Sequence, residues 1–196
     1  MPTVLITGAA GSVGSMLRTR LARPGRTLRL LDVQPLTAGP GEEVSGASIT
    51  DLAAMTRACE GAEAVIHLAG RSTEGPWDQI AELNIHGTYV VFEAARRAGV
   101  RRVIYASSNH AAGFAPRSQF PVGEDIPPAP DSYYGVSKVA GEAIASLYHS
   151  RHGMDAICIR ILTCADQPSS LRSLSTWLSP FSRARCATTR KTRFRF

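Results

Sequence analysis

A tyrosine and a lysine four residues apart, in Tyr134-Gly135-Val136-Ser137-Lys138, are the residues of this chain best suited to moving a proton. On a helix that spacing sets both side chains on one face. A free phenol titrates near pH 10. To act as a base near neutrality it needs its pKa lowered by about 3 units, worth roughly 4 kcal/mol. A neighbouring ammonium and a positively charged cofactor ring can each supply part of that shift. The stretch Tyr105-Ala106-Ser107-Ser108-Asn109-His110 offers a serine hydroxyl that could orient a substrate oxygen opposite the phenol. Taken alone, a tyrosine four residues before a lysine also fits an amphipathic helix whose polar side chains face solvent.

A second group of residues could hold a nucleotide. Thr7-Gly8-Ala9-Ala10-Gly11-Ser12-Val13-Gly14 follows the apolar run Thr3-Val4-Leu5-Ile6 and leads into Met16-Leu17-Arg18-Thr19-Arg20-Leu21, which reads as a helix. Strand, glycine-rich turn and helix are the context a pyrophosphate needs. Gly8 permits a tight turn, Gly11 lets backbone N–H groups approach the phosphates, and Gly14 lets helix and strand pack closely. The helix start supplies free donors and the positive end of the dipole, so Ser12 and Val13 join the glycines as cofactor-binding residues. The spacing is G-x-x-G-x-x-G, one residue longer than the commonest dinucleotide fingerprint, and glycine turns also arise for structural reasons. Asp32 strengthens the reading. It ends a second apolar run, Leu28-Arg29-Leu30-Leu31, where the ribose-reading acid of a dinucleotide site belongs. A carboxylate there accepts from the ribose hydroxyls and repels a 2′-phosphate, and Val33 and Gln34 offer no arginine to welcome one. The cofactor is therefore NAD rather than NADP.

These residues need a scaffold, and the pattern supplies one. Strand candidates at 3–7, 28–32, 43–48 (weak), Ala62–Leu68, Val100–Ala106 and Ala156–Ile161 alternate with helical stretches at 12–22, 51–59, 77–98 and 134–151. That alternation predicts an α/β fold, a Rossmann-type doubly wound parallel sheet in three α/β/α layers. The proline-rich segment Phe114–Asp131 reads as a loop over the active site. In open sheets of this kind ligands sit at the carboxyl ends of the strands, where the candidate residues fall.

Composition bounds the remaining possibilities. The 196 residues, 44% of them hydrophobic, suffice for one substantial domain. No apolar run approaches transmembrane length, and the N-terminus lacks the basic flank of a signal peptide. Cys59, Cys158, Cys164 and Cys186 are scattered, with no C-x-x-C pair; they read as reduced thiols of a cytoplasmic protein, and no metal site is expected. The net charge of +6 belongs to one end: six of the 22 basic residues lie in 181–196 with no acid, leaving 16 bases against 16 acids elsewhere. Residues 181–196 are expected to form a disordered basic tail, with no nucleic-acid or membrane role, behind an NAD-binding domain over 1–180.

Several stretches together carry a family resemblance: T-G-A-A-G-x-V-G, Asp51-Leu52, His67-Leu68-Ala69-Gly70, Asn84-Ile85-His86-Gly87-Thr88, Ala106-Ser107-Ser108 and Tyr134-Gly-x-Ser-Lys138. The chain resembles an extended short-chain dehydrogenase/reductase of the NAD-dependent epimerase/dehydratase group over about residues 2–180. Ala106-Ser107-Ser108-Asn109-His110, Pro130-Asp131-Ser132-Tyr133-Tyr134-Gly135 and Ser175-Thr176-Trp177-Leu178-Ser179 resemble the uronate dehydrogenases of that group. The resemblance implies that a hexuronate is oxidised at C1 to an aldarolactone, with NADH formed. It implies Tyr134 as the base, Lys138 holding the nicotinamide ribose and lowering the tyrosine pKa, and Ser108 orienting the substrate hydroxyl. It also implies Asp32 on the adenosine ribose, Asp51 and Leu52 beside the adenine, and Leu68, Ala69 and Gly70 along the cofactor. Ser72, Ser108, Asn109, His110 and Thr163 would contact the sugar, and Arg172 would take its carboxylate bidentately.

Two departures accompany the resemblance. Leu162 and Thr163 precede Cys164 where the family has a small residue and then serine, and Leu162 adds bulk beside the nicotinamide. The resemblance stops after Pro180, where relatives continue; the substrate region is expected to be incomplete, through a shifted frame or premature end. Alternative readings are a nucleotide-sugar epimerase or dehydratase, and a catalytically impaired NAD-binding fragment. A dehydratase would carry an acid pair where Asn109 and His110 stand. Homo-oligomerisation through the helices is a further expectation.

Overall fold

Five largely apolar runs and one polar edge segment become six parallel strands: β1 Thr3–Thr7, β2 Thr27–Asp32, β3 Glu42–Gly46 (the polar one), β4 Ala62–His67, β5 Arg102–Ser108 and β6 Asp155–Ile161. In the computed structural model, which describes residues 1–116 and 125–162, they pair in the order β3-β2-β1-β4-β5-β6. Thr163, Arg172, the 175–179 stretch and the basic segment 181–196 lie outside the described residues. The chain order reverses direction at β1, between β2 and β4, so the crevice at the carboxyl ends of β1 and β4 is the switch point where such sheets take ligands. Thr7 pairs with Leu31 on one side and His67 on the other, so these three strands end level with one another.

Period-two alternation sorts the apolar residues to two faces. Leu5, Leu31, Val65, Val103 and Tyr105 face one core, shared with Met55, Phe92 and Tyr148. Ile6, Leu28 and Leu30 face a second, smaller core with Val4, Ile66 and Leu21. The larger core lies under α2 Leu52–Cys59, α4 Gly87–Arg97 and α5 Tyr133–His152; the smaller packs against α1 Ser12–Leu21. Flanking helices on both faces of a parallel sheet are the Rossmann-like α/β architecture expected. Over β6 the second face carries Ile157 and Ile159, which stay 46% and 49% exposed.

The helix expected over 77–98 is divided in three: α3 Trp77–Ile80, a π-helical turn at Ala81–His86, and α4. The wide turn carries Asn84, whose side chain bonds to other segments. β5 also runs two residues further than its apolar stretch suggested, so Ser107 and Ser108 end the strand and their hydroxyls point to opposite faces. The Ser107 hydroxyl donates to Glu142 on α5, while Ser108 caps the short 3₁₀ turn Asn109–Ala112.

Candidate active site

The turn after β1 is shaped by two close approaches. Gly8 sits at φ +72, and a Cβ there would lie 2.7 Å from the Ala69 amide nitrogen. A Cβ at Gly14 would meet Ala9 Cα at 2.7 Å, so only glycine lets the helix start this close to the strand end. α1 then begins behind Gly11 with no capping side chain, although the first-turn N–H groups of a helix have no intrahelical acceptor. At Ser12 and Val13 those donors and the dipole face an exposed loop suited to a phosphate. Asp32 is held by Ala10 N–H and Gln34 N–H, each 2.9 Å away and on separate carboxylate oxygens, which keep lone pairs for further donors. Leu68 N–H donates to the Thr7 carbonyl and Ala69 N–H to its hydroxyl, fixing the wall that runs on to Gly70. Uncapped donors, a carboxylate and an apolar wall around one crevice fit a dinucleotide. Asp51 caps α2 by accepting from Ala54 N–H, and Leu52 packs on the larger core.

The second group assembles at the end of β5 and the start of α5. Ser132 caps α5 by accepting from Gly135 N–H, and the Tyr134 N–H donates to Glu74 at 2.9 Å, from the loop after β4. Lys138 is 6% exposed. Its Nζ donates to the Ala106 carbonyl at 2.8 Å and stands 5.4 Å from the centre of the Tyr134 ring. Burial lowers its pKa to about 8. Tyr134 moves the other way: burial pushes its phenol up, against the Ser108 hydroxyl bonded to it, which pulls down. The lowering expected from Lys138 is therefore not what the protein groups alone produce, because desolvation dominates. The Ser108 oxygen accepts from His110 N–H and also lies 3.2 Å from Asn109 Oδ1, so its single proton serves either Asn109 or the phenol oxygen. His110 lies edge-on to Tyr134, ring centres 5.6 Å apart, with Nδ1 on Asp131 at 2.8 and 3.0 Å. Ser72 is exposed on the loop after β4, and no described contact joins it to the others. Leu162 is 65% exposed. Among the described residues no His, Cys, Asp or Glu group could hold a metal.

A buried polar chain ties the two groups together. Thr88 donates its hydroxyl to the Asn84 carbonyl, so toward His67 Nε2 it can only accept. His67 therefore carries its proton on Nε2, and its Nδ1 accepts from the Thr7 hydroxyl at 2.9 Å. The imidazole is neutral: burial, and then the Lys138 charge, lower its pKa to about 3. Asn84 continues the connection. Its Oδ1 accepts from Arg71 N–H, and its Nδ2 donates to the Arg71 carbonyl and to Ser137 on α5. Asn84 thus anchors the backbone of the loop after β4 to the helix that carries Lys138. Glu74, Asp131 and the role of His67 were missed, because each works through a partner at least 21 residues away.

Residues 4–165 match the model of the NAD dependent epimerase/dehydratase family. Uronate dehydrogenase of Pseudomonas putida is 47% identical over 178 residues, covering 90% of this chain and 66% of that protein. A crystal structure of uronate dehydrogenase from Agrobacterium tumefaciens, a tyrosine-to-alanine mutant complexed with NAD, superposes with a TM-score of 0.81 at 41% identity, covering 86% of this chain and 63% of that one. Glucuronic acid dehydrogenase from Chromohalobacter salexigens gives 0.81 at 39% identity, covering 85% and 63%. The chain thus spans about two thirds of the length of these relatives.

Proposed function

The chain belongs to the NAD dependent epimerase/dehydratase family, and from that premise we propose that it oxidises a free hexuronate, glucuronate or galacturonate, at C1 with NAD. The observation that carries this reading is the placing of Tyr134, Ser108 and Lys138 within one cluster at the carboxyl end of β5, beside an uncapped glycine turn.

When bound, NAD supplies the acceptor for the C1 hydride. The Tyr134 phenolate takes the proton of the C1 hydroxyl while that C–H bond breaks, and the C1 oxygen becomes the carbonyl of an aldarolactone. Ser108 hydrogen-bonds the same oxygen and holds it against the phenol. Lys138, anchored to Ala106, places a positive charge beside the phenolate that must form, and with a pKa of about 8 it keeps most of that charge at pH 7. Gly8, Gly11, Ser12, Val13 and Gly14 hold the pyrophosphate, and Asp32 the adenosine ribose. Ser72, Asn109 and His110 contact the sugar, joined in this reading by Thr163 and Arg172. The same reading makes the protein a cytoplasmic homo-oligomer with a sugar acid as its small-molecule partner. Among the described residues no helix is long and apolar enough to cross a membrane.

The test follows absorbance of NADH on mixing protein, NAD and either hexuronate. Turnover by the wild type, with kcat reduced about 10²- to 10⁴-fold in Tyr134→Phe, is the expected result. No turnover with either sugar, or a Tyr134→Phe variant as fast as the wild type, would refute it.

A further inference from the structure

Three residues before Tyr134, Asp131 is held by side-chain and backbone bonds. Both its carboxylate oxygens accept from His110 Nδ1, at 2.8 and 3.0 Å, and Oδ1 also takes the Ser132 hydroxyl at 2.9 Å. Its backbone is paired as well: Asp131 N–H reaches the His110 carbonyl, Ala129 N–H the Ala111 carbonyl, and Phe114 N–H the Ala129 carbonyl. Gly113 lies flush against the carboxylate, with no room there for any side chain. Burial alone would raise the Asp131 pKa, but the bonds from His110 and Ser132 outweigh it and hold the carboxyl below its usual value. An ionised carboxylate accepts and cannot donate, so the proton in this pair belongs to His110 Nδ1.

Resting on the hexuronate reading, we propose that Asp131 is a positioning residue that fixes the proton of His110 on Nδ1, so that whenever the ring is neutral it is Nε2 that meets the sugar acid with a bare lone pair. Nδ1 is committed to Asp131, and Nε2 is the nitrogen left for a ligand. In that form Nε2 accepts from a hydroxyl, so His110 reads a hydroxyl of the sugar. The edge-on packing against Tyr134 sets this acceptor beside the reacting centre. A site built to accept from a hydroxyl rejects an analogue that lacks it more strongly than apolar packing could.

Two measurements test this independently of each other. The first is ¹⁵N NMR of the full chain labelled at histidine, recorded at pH 9. His110 is expected to show a protonated Nδ1 and a bare Nε2. Asp131→Asn, whose amide oxygen still accepts, keeps that pattern, and Asp131→Ala loses it. A protonated Nε2 in the wild type, or an unchanged tautomer in Asp131→Ala, would overturn the proposal. The second is steady-state kinetics. Asp131→Ala is expected to raise KM for the hexuronate about tenfold and leave KM for NAD unchanged, with Asp131→Asn close to the wild type. Equal losses in both variants would overturn the tautomer argument. A wild type inert toward hexuronates would refute the functional reading, while the NMR result would still decide the part played by Asp131.

Discussion

Replacing His67 with glutamine should remove a large share of the chain's sensitivity to acid. In the unfolded chain an imidazole titrates near 6.5, whereas burial, followed by the charge of Lys138, lowers His67 to about 3 in the folded protein. Between those two values the unfolded state binds a proton that the native state refuses. Stability from this group is therefore complete above pH 6.5 and is lost as pH falls toward 3. At pH 4.5, two units below the unfolded value, the loss amounts to about 2.7 kcal/mol, a sizeable part of the 5–15 kcal/mol typical of domains. The refusal has a structural cause: Nδ1 accepts from Thr7, so a second ring proton would face a donor in a site 1% exposed. Urea unfolding of wild type and His67→Gln at pH 7.5 and 4.5 measures it. Glutamine lacks one of the two ring bonds and should cost about 1–3 kcal/mol at both pH values. The informative quantity is the difference between the two pH-dependent losses, since every other titrating group is shared. Equal losses in the two proteins would refute the claim that His67 is held neutral.

Two other predictions concern the neighbouring parts of the site. Lys138 has a folded pKa of about 8 against an unfolded value near 10.4, so the unfolded chain alone holds a proton between them and stability should rise with pH through that window. Lys138→Met should flatten the rise, worth about 2.4 kcal/mol between pH 7.5 and 10, in urea titrations at those two values; an unchanged slope would contradict it. Gly14→Ala should lower stability by about 1–3 kcal/mol and weaken NAD binding, because its methyl group would meet the backbone of Ala9. Calorimetry of NAD binding together with thermal melting checks both effects.

How much of this could be read from the chain depends on the range of the forces involved. The parallel sheet was legible because strands buried on both faces are rich in apolar residues, as in Thr3–Ile6 and, interrupted by Arg29, in Leu28–Leu31. The edge strand Glu42–Gly46 was weak in the sequence, since its side chains are mostly polar and it owes its state to pairing with β2. Tyr134, Lys138 and Ser108 were identified from type and spacing, and the structure brings them together. The upward shift of Tyr134 was not legible: it comes from burial, which no local spacing encodes. Nor was the π-helical turn at Ala81–His86, whose apolar pattern reads as ordinary helix until Asn84 is seen bonded to Arg71 and Ser137. Asp51 shows the opposite case. A capping acid and an adenine-flanking acid look alike in sequence, and the described bond is the capping one.

The bond from Tyr134 N–H to Glu74 gives α5 a second cap that does not come from its own stretch of chain. That amide is one of the helix's free first-turn donors, and its acceptor rides on the rim loop, 60 residues earlier in the chain. The same loop is tied a second time, through Arg71, to Asn84. The rim has therefore given up much of its conformational entropy before any ligand arrives, which favours a site organised in advance over one that closes upon its substrate. Loosening of the rim would also uncover the Tyr134 amide, so loop motion and stiffness at Tyr134 form a single coordinate, readable as hydrogen exchange at one backbone position.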